Sequence, residues 1–227
     1  MQINKVILYC NDLSVLKDFY VNRFGFTILR DVEDRFAIEI GNSVLEIIES
    51  KDMHAPFYHF AFNIPPNVFK QAKEWTKSKV ALDEENGEDE VYFQFIDAHS
   101  IYFHDPSGNI VELIARKSSP QATDSESFSI KNLLNIGEIS ITTNEVIPVG
   151  KSLVEHRIPV RDNEQLISDG LNFLGDRDGG AFLLLTPENR RWFFSNTYSK
   201  IYPLTIYVDN EQQIIINDQG KIEVKNI

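Results

Sequence analysis

The 227-residue chain has one cysteine, Cys10, and few basic residues: 22 Lys and Arg face 34 Asp and Glu, which gives a formal net charge of −12. One cysteine cannot form an intrachain disulfide, and this agrees with a reducing compartment. The shortage of positive charge argues against nucleic acid or an anionic membrane as the partner, because both need clustered Lys and Arg. We therefore expect a small-molecule ligand.

Long hydrophobic runs are also missing. No apolar stretch approaches the roughly 20 residues of a membrane-spanning helix, and residues 1–5 lack the basic region and apolar core of a signal peptide. The expected location is therefore the cytoplasm. The chain does have 42% hydrophobic and 25% charged residues, which is ordinary for a globular protein with a sizeable core.

Two stretches share one order of predicted elements, β-α-β-β-β. They are residues 1–50 and 55–117, and their closing strands have similar letters, GNSVLEII at 41–48 and GNIVELI at 108–114. A single curved four-stranded sheet cannot form a core alone, so an internal duplication predicts that the two units bury their sheet faces together. The predicted fold class is α+β, with paired β-α-β-β-β modules forming a cupped mixed sheet.

The second half of the chain is less regular. Residues 118–130 are polar, contain Pro120 and are predicted to form a linker. Residues 131–227 have the pattern of a degenerate third module followed by a terminal β-meander. This half is expected to pack on the domain at 1–117, to cover a pocket or to form a homodimer contact through its terminal strands.

The segment FHDPSGNIVELI at 103–114 is the most distinctive local motif. Its Asp-Pro-Ser-Gly sequence predicts a turn, because proline fixes φ at the second position and glycine can take positive φ at the fourth. Glu112 interrupts the apolar strand after this turn. An ionised carboxylate in such a run needs a compensating partner, which makes Glu112 a candidate functional residue.

These segments resemble the vicinal oxygen chelate superfamily, which includes glyoxalase I, extradiol ring-cleaving dioxygenases, fosfomycin-resistance thiol transferases and bleomycin-resistance proteins. The resemblance is carried by VILYCNDL at 6–13, YHFAF at 58–62 and DPSGNIVEL at 105–113, and it covers residues 1–117. It implies that a small organic molecule is held in the cup between modules. Because this scaffold supports many chemistries, the resemblance leaves the reaction open.

In metal-dependent members, the first and last strands of each module hold a divalent ion. By position, these sites fall on Lys5 and His59 in the first strands and on Glu46 and Glu112 in the last strands. Glu46, His59 and Glu112 suit Mn, Fe, Ni or Zn. A protonated lysine has no lone pair to offer. In an enzyme, the resemblance implies a metal-assisted lyase, dioxygenase or thiol-transferase step in which Lys5 contacts the substrate and Glu112 is catalytic.

The alternative is a metal-free protein that binds or sequesters a small molecule, like the bleomycin-resistance members. In this case Lys5 takes the place of the ion and neutralises Glu46 or Glu112 in a buried pair. The two alternatives differ in cofactor, which is one divalent metal in the first and none in the second.

The remaining candidates concern substrate binding and the third module. The expected substrate-binding residues are His59, Tyr58, Tyr102 and His99. In the third module, the first-strand position falls on Glu138, but the closing strand FLLL at 182–185 has no carboxylate. This half is therefore expected to bind no metal.

Overall fold

The computed structural model describes residues 1–50, 54–118, 122–123, 127–176 and 180–227. Parts of the predicted linker, residues 119–121 and 124–126, lie outside the described residues. Residues 177–179, in the glycine-containing segment between two predicted strands, lie outside them as well. The division into units at 1–117 and 131–227 stays a prediction.

The first unit has the predicted order. Its elements are strand β1 (Ile3–Cys10), helix α1 (Leu13–Lys17), a π-helical segment (Asp18–Phe24) and strands β2 (Ile28–Val32), β3 (Arg35–Ile40) and β4 (Ser43–Glu49). Asp12 caps α1 by accepting a hydrogen bond from the Val15 amide. Gly25 ends the helical segment at a φ of 85°, a conformation that glycine adopts without strain.

The second unit repeats this order. Its elements are strand β5 (His59–Asn63), helix α2 (Phe69–Lys77) and strands β6 (Val91–Phe93), β7 (Ala98–His104) and β8 (Ile110–Arg116). In its described residues the third unit has one strand fewer, and it leads into the predicted meander. Its elements are β9 (Asn135–Thr142), α3 (Val146–Glu155), β10 (Asn172–Leu174) and β11 (Phe182–Thr186), followed by β12 (Leu204–Val208), β13 (Gln212–Ile216) and β14 (Ile222–Asn226). None of the helices in the described ranges is long and apolar enough to cross a membrane.

The predicted turn between β7 and β8 is held by Asp105. Its Oδ1 accepts from the Ser107 and Asn109 amides at 2.9 and 3.0 Å. Its Oδ2 accepts from the Asn109 side chain at 2.7 Å and from the Tyr20 hydroxyl at 2.6 Å. Gly108 has a φ of 82°, as its position in the turn requires. The bond from Tyr20 joins the first unit to the strand that carries Glu112.

Aromatic packing gives the first two units a common core. Phe24 lies 5.4 Å from Phe103 of β7 and 5.5 Å from Trp75 of α2, measured between ring centroids. Phe26 packs on Phe62 of β5 at 6.1 Å. The duplicated units therefore share a buried interior, as the repeat predicted.

The fourteen strands in the described part of the chain form one mixed sheet, which confirms the predicted α+β fold of cupped modules. Its main path runs β14-β13-β12-β1-β9-β5-β8-β7-β6. The free edge of the second unit, β5, pairs antiparallel with β9, and the free edge of the first unit, β1, pairs mainly with β12. The cup at β5 is therefore formed with the third unit rather than with the first. Strand β9 covers the otherwise open edge of β5, and seven of its eight residues are buried in this position. Both effects favour the arrangement, because an open edge leaves backbone groups unpaired.

Candidate functional site

The pairing of β5 with β8 on one side and with β9 on the other places one carboxylate on each side of Ala61. Ala61 is opposite Glu112 on one neighbouring strand and opposite Glu138 on the other. His59 precedes Ala61 by two residues, so its side chain points to the same face of the sheet. One donor atom from each of His59, Glu112 and Glu138 lies within 4.8 Å of the other two. All three residues are buried.

The imidazole of His59 has a defined orientation. Its Nδ1 lies 3.0 Å from the Ile110 carbonyl oxygen. Because a carbonyl can only accept, Nδ1 carries the proton. Burial lowers the pKa of His59 to about 4, so the ring is neutral near pH 7 and its Nε2 has a lone pair. This lone pair faces Glu112 Oε2 at 3.5 Å.

When Glu112 is ionised, Glu112 and His59 present two acceptors to each other. Burial, together with the nearby charge of Glu138, raises the pKa of Glu112 to about 8, whereas the hydroxyls of Ser100 and Tyr102 act to lower it, so Glu112 holds a proton near pH 7 when no cation is bound. A carboxylate and an imidazole lone pair at this distance are compatible when a proton or a cation lies between them. In metal sites, a histidine ligand usually donates its other N–H to a carbonyl or carboxylate, as His59 does.

Glu138 is held by an ion pair with Arg116, and both side chains are buried. The Arg116 guanidinium also donates to Asn63 Oδ1 at 3.3 Å and lies 5.3 Å from the centre of the Phe182 ring. Arg116 offsets one of the two carboxylates, so a formal charge of −1 is left when both are ionised. One imidazole and two carboxylates fit Mn, Fe, Ni or Zn, and three protein ligands leave coordination positions open for a substrate.

The three side chains line a cavity of about 310 Å³. The rest of its wall is mainly apolar, with Leu184 and Ile114 among the aliphatic residues. Its aromatic lining residues are Phe93, Phe95, Tyr102, Phe173, Trp192 and Phe193. A few polar groups at one point of an apolar cavity are typical of sites for small organic molecules.

A segment between β11 and β12, residues 187–203, covers this cavity; we call it the cap. Trp192 of the cap packs on His59 with 4.7 Å between the ring centroids. Phe194 stacks on Tyr102 at 4.9 Å. The cap is attached to the second unit by an ion pair between Arg191 and Glu85 and by a 2.7 Å hydrogen bond from the Phe194 amide to Glu85 Oε2.

The structure brings some of the sequence-predicted site residues together and separates others. His59, Glu112 and Tyr102 line the cavity. Lys5 and Glu46 form an ion pair in the first unit, where Arg35 Nη1 also lies 3.4 Å from Glu46 Oε1. Glu46 is therefore occupied by two cationic side chains and is not part of the group formed by His59, Glu112 and Glu138 among the described residues.

Two predicted substrate-binding residues have other surroundings. His99 lies between the rings of Phe69 and Tyr92, at 5.0 and 4.7 Å, and does not line the cavity. Tyr58 is buried, and its hydroxyl donates to the Pro203 carbonyl at 2.8 Å. These contacts engage the hydroxyl of Tyr58 and the ring of His99 within the protein.

Sequence reasoning undervalued Glu138. The expectation that the third unit binds no metal assumed that a complete ligand set needs a carboxylate on its closing strand. By register, that position falls on Leu184, opposite Ser140 on β9. Because β9 pairs with β5, Glu138 instead joins two donors of the second unit. Its signal in the sequence is the same as that of Glu112, a single carboxylate in a buried apolar strand.

Comparison with known proteins gives two family matches. Residues 2–113 match the family described as the Glyoxalase/Bleomycin resistance protein/Dioxygenase superfamily. Residues 136–190, which contain Glu138 and Arg190, match the family described as Toxoflavin-degrading enzyme. No curated protein sequence matches the chain.

Several solved structures are similar to parts of the chain. A putative dioxygenase from Bacillus subtilis subsp. subtilis strain 168 covers 82% of this chain and 63% of its own, with a TM-score of 0.53 and 15% sequence identity, and shows the same fold. Lactoylglutathione lyase from Agrobacterium tumefaciens covers 50% of this chain and 92% of its own, with a TM-score of 0.42 and 18% identity. The match to an integron cassette protein from the Halifax Harbour sewage outfall metagenome covers 50% of this chain and 97% of the cassette protein, with a TM-score of 0.43 and 23% sequence identity.

Proposed function

Residues 2–113 of the chain belong to the glyoxalase, bleomycin resistance protein and dioxygenase superfamily, and we propose that the protein is a metal-dependent enzyme acting on a small aromatic molecule. The proposed metal ligands are His59, Glu112 and Glu138. The observation that carries this proposal is the convergence of one donor atom from each of His59, Glu112 and Glu138 within 4.8 Å of the other two, with His59 Nε2 at 3.5 Å from Glu112 Oε2. A divalent cation would satisfy both acceptors and the second carboxylate together.

The residues around the three ligands have distinct tasks in this proposal. The Ile110 carbonyl fixes the His59 tautomer, and Arg116 orients Glu138. The metal, when bound, would supply Lewis-acid polarisation of adjacent oxygens on the substrate. The aromatic wall would orient a planar substrate and exclude water, while the Tyr102 hydroxyl lies beside Glu112 as a proton donor or acceptor for the substrate.

Breakdown of the ligand is favoured over simple sequestration by the second family match, because the matched segment contains Glu138 and the family is described as an enzyme that degrades toxoflavin. The reaction class we propose is a metal-assisted dioxygenase or lyase reaction. The metal-free alternative has support in the first unit, where Lys5 pairs with Glu46 as a replacement for an ion would. A cytoplasmic location and a homodimer stay predictions.

Metal binding tests the proposal directly. Purified protein is stripped with a chelator, and its uptake of Mn, Fe(II), Ni or Zn is measured by elemental analysis after gel filtration. We expect about one ion per chain, together with a metal-dependent rise in melting temperature, because a ligand that binds only the folded state stabilises it.

Two matched variants locate the ion. Glu112→Gln removes a proposed ligand and should weaken metal affinity by more than about 100-fold, which is the upper end of the cost of losing a residue that only supports a ligand. Glu46→Gln makes the same change at the corresponding strand position of the first unit and should leave the affinity unchanged. Wild-type protein without metal uptake, or equal losses in both folded variants, would contradict the assignment.

A further inference from the structure

Arg190 differs from the other arginines around the cavity. Arg116, Arg161 and Arg191 each form an ion pair with a glutamate, namely Glu138, Glu164 and Glu85. Arg190 itself lines the cavity and is half-buried. Its Nη1 donates to the Arg191 carbonyl at 3.3 Å, and among the residues that the structure describes no carboxylate pairs with it.

This guanidinium carries an uncompensated charge in a partly desolvated place. Burial and the neighbouring charge of Arg191 lower the pKa of Arg190, although arginine stays protonated at any physiological pH. A half-buried cation without a counter-ion is unfavourable, and an anion would relieve this cost. Such an arrangement is uncommon in a chain with a formal net charge of −12, where carboxylates are plentiful.

Trp192 connects Arg190 to the proposed metal ligands. The Arg190 guanidinium lies 5.4 Å from the centre of the indole, and the His59 ring lies 4.7 Å from it. The charge of Arg190 is also near enough to His59 to lower the pKa of the imidazole. A planar ligand against the aromatic wall could therefore meet Arg190 with one substituent and the His59 side of the cavity with another.

We propose that the ligand is an aromatic acid, with its ring held by Trp192 and the other aromatic lining residues and its carboxylate paired with Arg190. A guanidinium binds a carboxylate through two parallel hydrogen bonds, which gives both affinity and orientation. The cavity of about 310 Å³ has room for a one-ring or two-ring acid of this kind. This substrate class rests on the proposed function, but the recognition of the anion by Arg190 does not require the metal.

The experiment uses neutral and anionic isosteres. Binding of benzoate and benzamide, and of 2-naphthoate and 2-naphthamide, is measured by calorimetry with chelator-treated full-length protein. We expect each acid to bind about tenfold more tightly than its amide, a difference of about 1.4 kcal/mol. Equal affinities within a pair, or no detectable binding of either acid at millimolar concentration, would overturn the proposal.

Variants show whether Arg190 causes the preference. Arg190→Gln should abolish the difference between acid and amide, whereas Arg190→Lys should keep part of it. Lys200→Gln removes an exposed positive charge from the same cap and serves as the control; it should keep the full preference. If the preference survives in a folded Arg190→Gln variant, Arg190 has only a packing role.

The outcome is separable from that of the metal experiment. Arg190→Gln should take up metal as the wild type does, because Arg190 is not a proposed ligand. A protein that prefers acids but takes up no metal would retain the inference on Arg190 and reject the metal-dependent function. A protein that takes up metal but binds acids and amides equally would retain the metal site and reject the aromatic acid as the ligand.

Discussion

At the scale of single residues, three buried glutamates lie in three different electrostatic settings. Glu46 is paired with Lys5 and Arg35, and Glu138 is paired with Arg116. Glu112 faces a histidine lone pair and hydroxyl groups instead. Since burying a carboxylate without a cation is costly, Glu112 is the position at which an added cation would stabilise the protein most.

The Lys5–Glu46 pair gives a test of its own. Lys5→Met would leave Glu46, whose side chain is 3% exposed, with Arg35 as its remaining cationic contact. We expect the variant to lose roughly 1–3 kcal/mol of unfolding free energy, which is less than for a fully buried pair because Lys5 itself is 33% exposed. Chemical denaturation in urea measures the difference.

Lys17→Met is the matched control for this change. The side chain of Lys17 is 36% exposed, which is close to the 33% of Lys5. Its partner Asp31 is 45% exposed, unlike Glu46, and water can solvate this carboxylate after the substitution. The expected loss is below about 0.5 kcal/mol. Equal losses in the two variants would show that the burial of Glu46 does not matter.

At the scale of elements, two short connections control the site. The Asp105 turn sets the start of β8 and thereby the position of Glu112 along the sheet. The cap lines the cavity with Trp192 and Phe193, stacks Phe194 on Tyr102 and is attached through Glu85. Three of the hydrogen bonds to Asp105 come from within the hairpin and one comes from Tyr20 of the first unit, whereas the cap depends on contacts between residues about 100 positions apart.

We expect Glu85→Gln to loosen the cap, because the substitution removes the charge that Arg191 pairs with and weakens the acceptor for the Phe194 amide. Looser attachment should expose Trp192. Acrylamide quenching of tryptophan fluorescence in a Trp75→Phe background reports on Trp192 alone, and its quenching constant should increase.

Glu84→Gln provides the control for the cap, since Glu84 is the adjacent exposed residue and the substitution changes the net charge equally. Its quenching constant should equal that of the Trp75→Phe parent. A similar increase in both variants would point to a general charge effect instead of a loosened cap.

At the scale of the whole molecule, the three units and the meander form one continuous sheet in the described ranges. Strand β9 lies between β1 and β5, and β12 covers the other part of the β1 edge. Both first strands of the duplicated units thus obtain a neighbour from the second half of the chain. Units that share strand pairing in this way are expected to unfold together.

A truncation at residue 117 tests this expectation. The fragment 1–117 would expose the edges of β1 and β5 to solvent, and we expect it to aggregate or to lack a cooperative unfolding transition. Circular dichroism and size-exclusion chromatography measure both properties. Co-expression with 118–227 should restore a soluble, co-purifying pair. A fragment 1–117 that folds cooperatively by itself would contradict the expectation.

The sequence by itself determined the local order of this protein. The periodicity of apolar residues and the turn residues indicated the repeated β-α-β-β-β units and the Asp105–Gly108 turn, because these depend on neighbours a few residues apart. Two members of the candidate site could also be identified from the sequence. Glu112 is an isolated charge in an apolar strand, and His59 matches a ligand position of the family that the sequence resembles.

Only the tertiary structure decided which strands meet at the free edges of the modules. Strand β5 could pair with the first or the third unit, and both would bury an apolar edge, so local sequence does not distinguish them. The choice of β9 brings Glu138 to His59 and Glu112 and leaves Glu46 with Lys5. The contribution of Arg190 and Trp192 depends on the same long-range arrangement, because these two residues line the cavity together with Glu138 and Leu184 of the third unit.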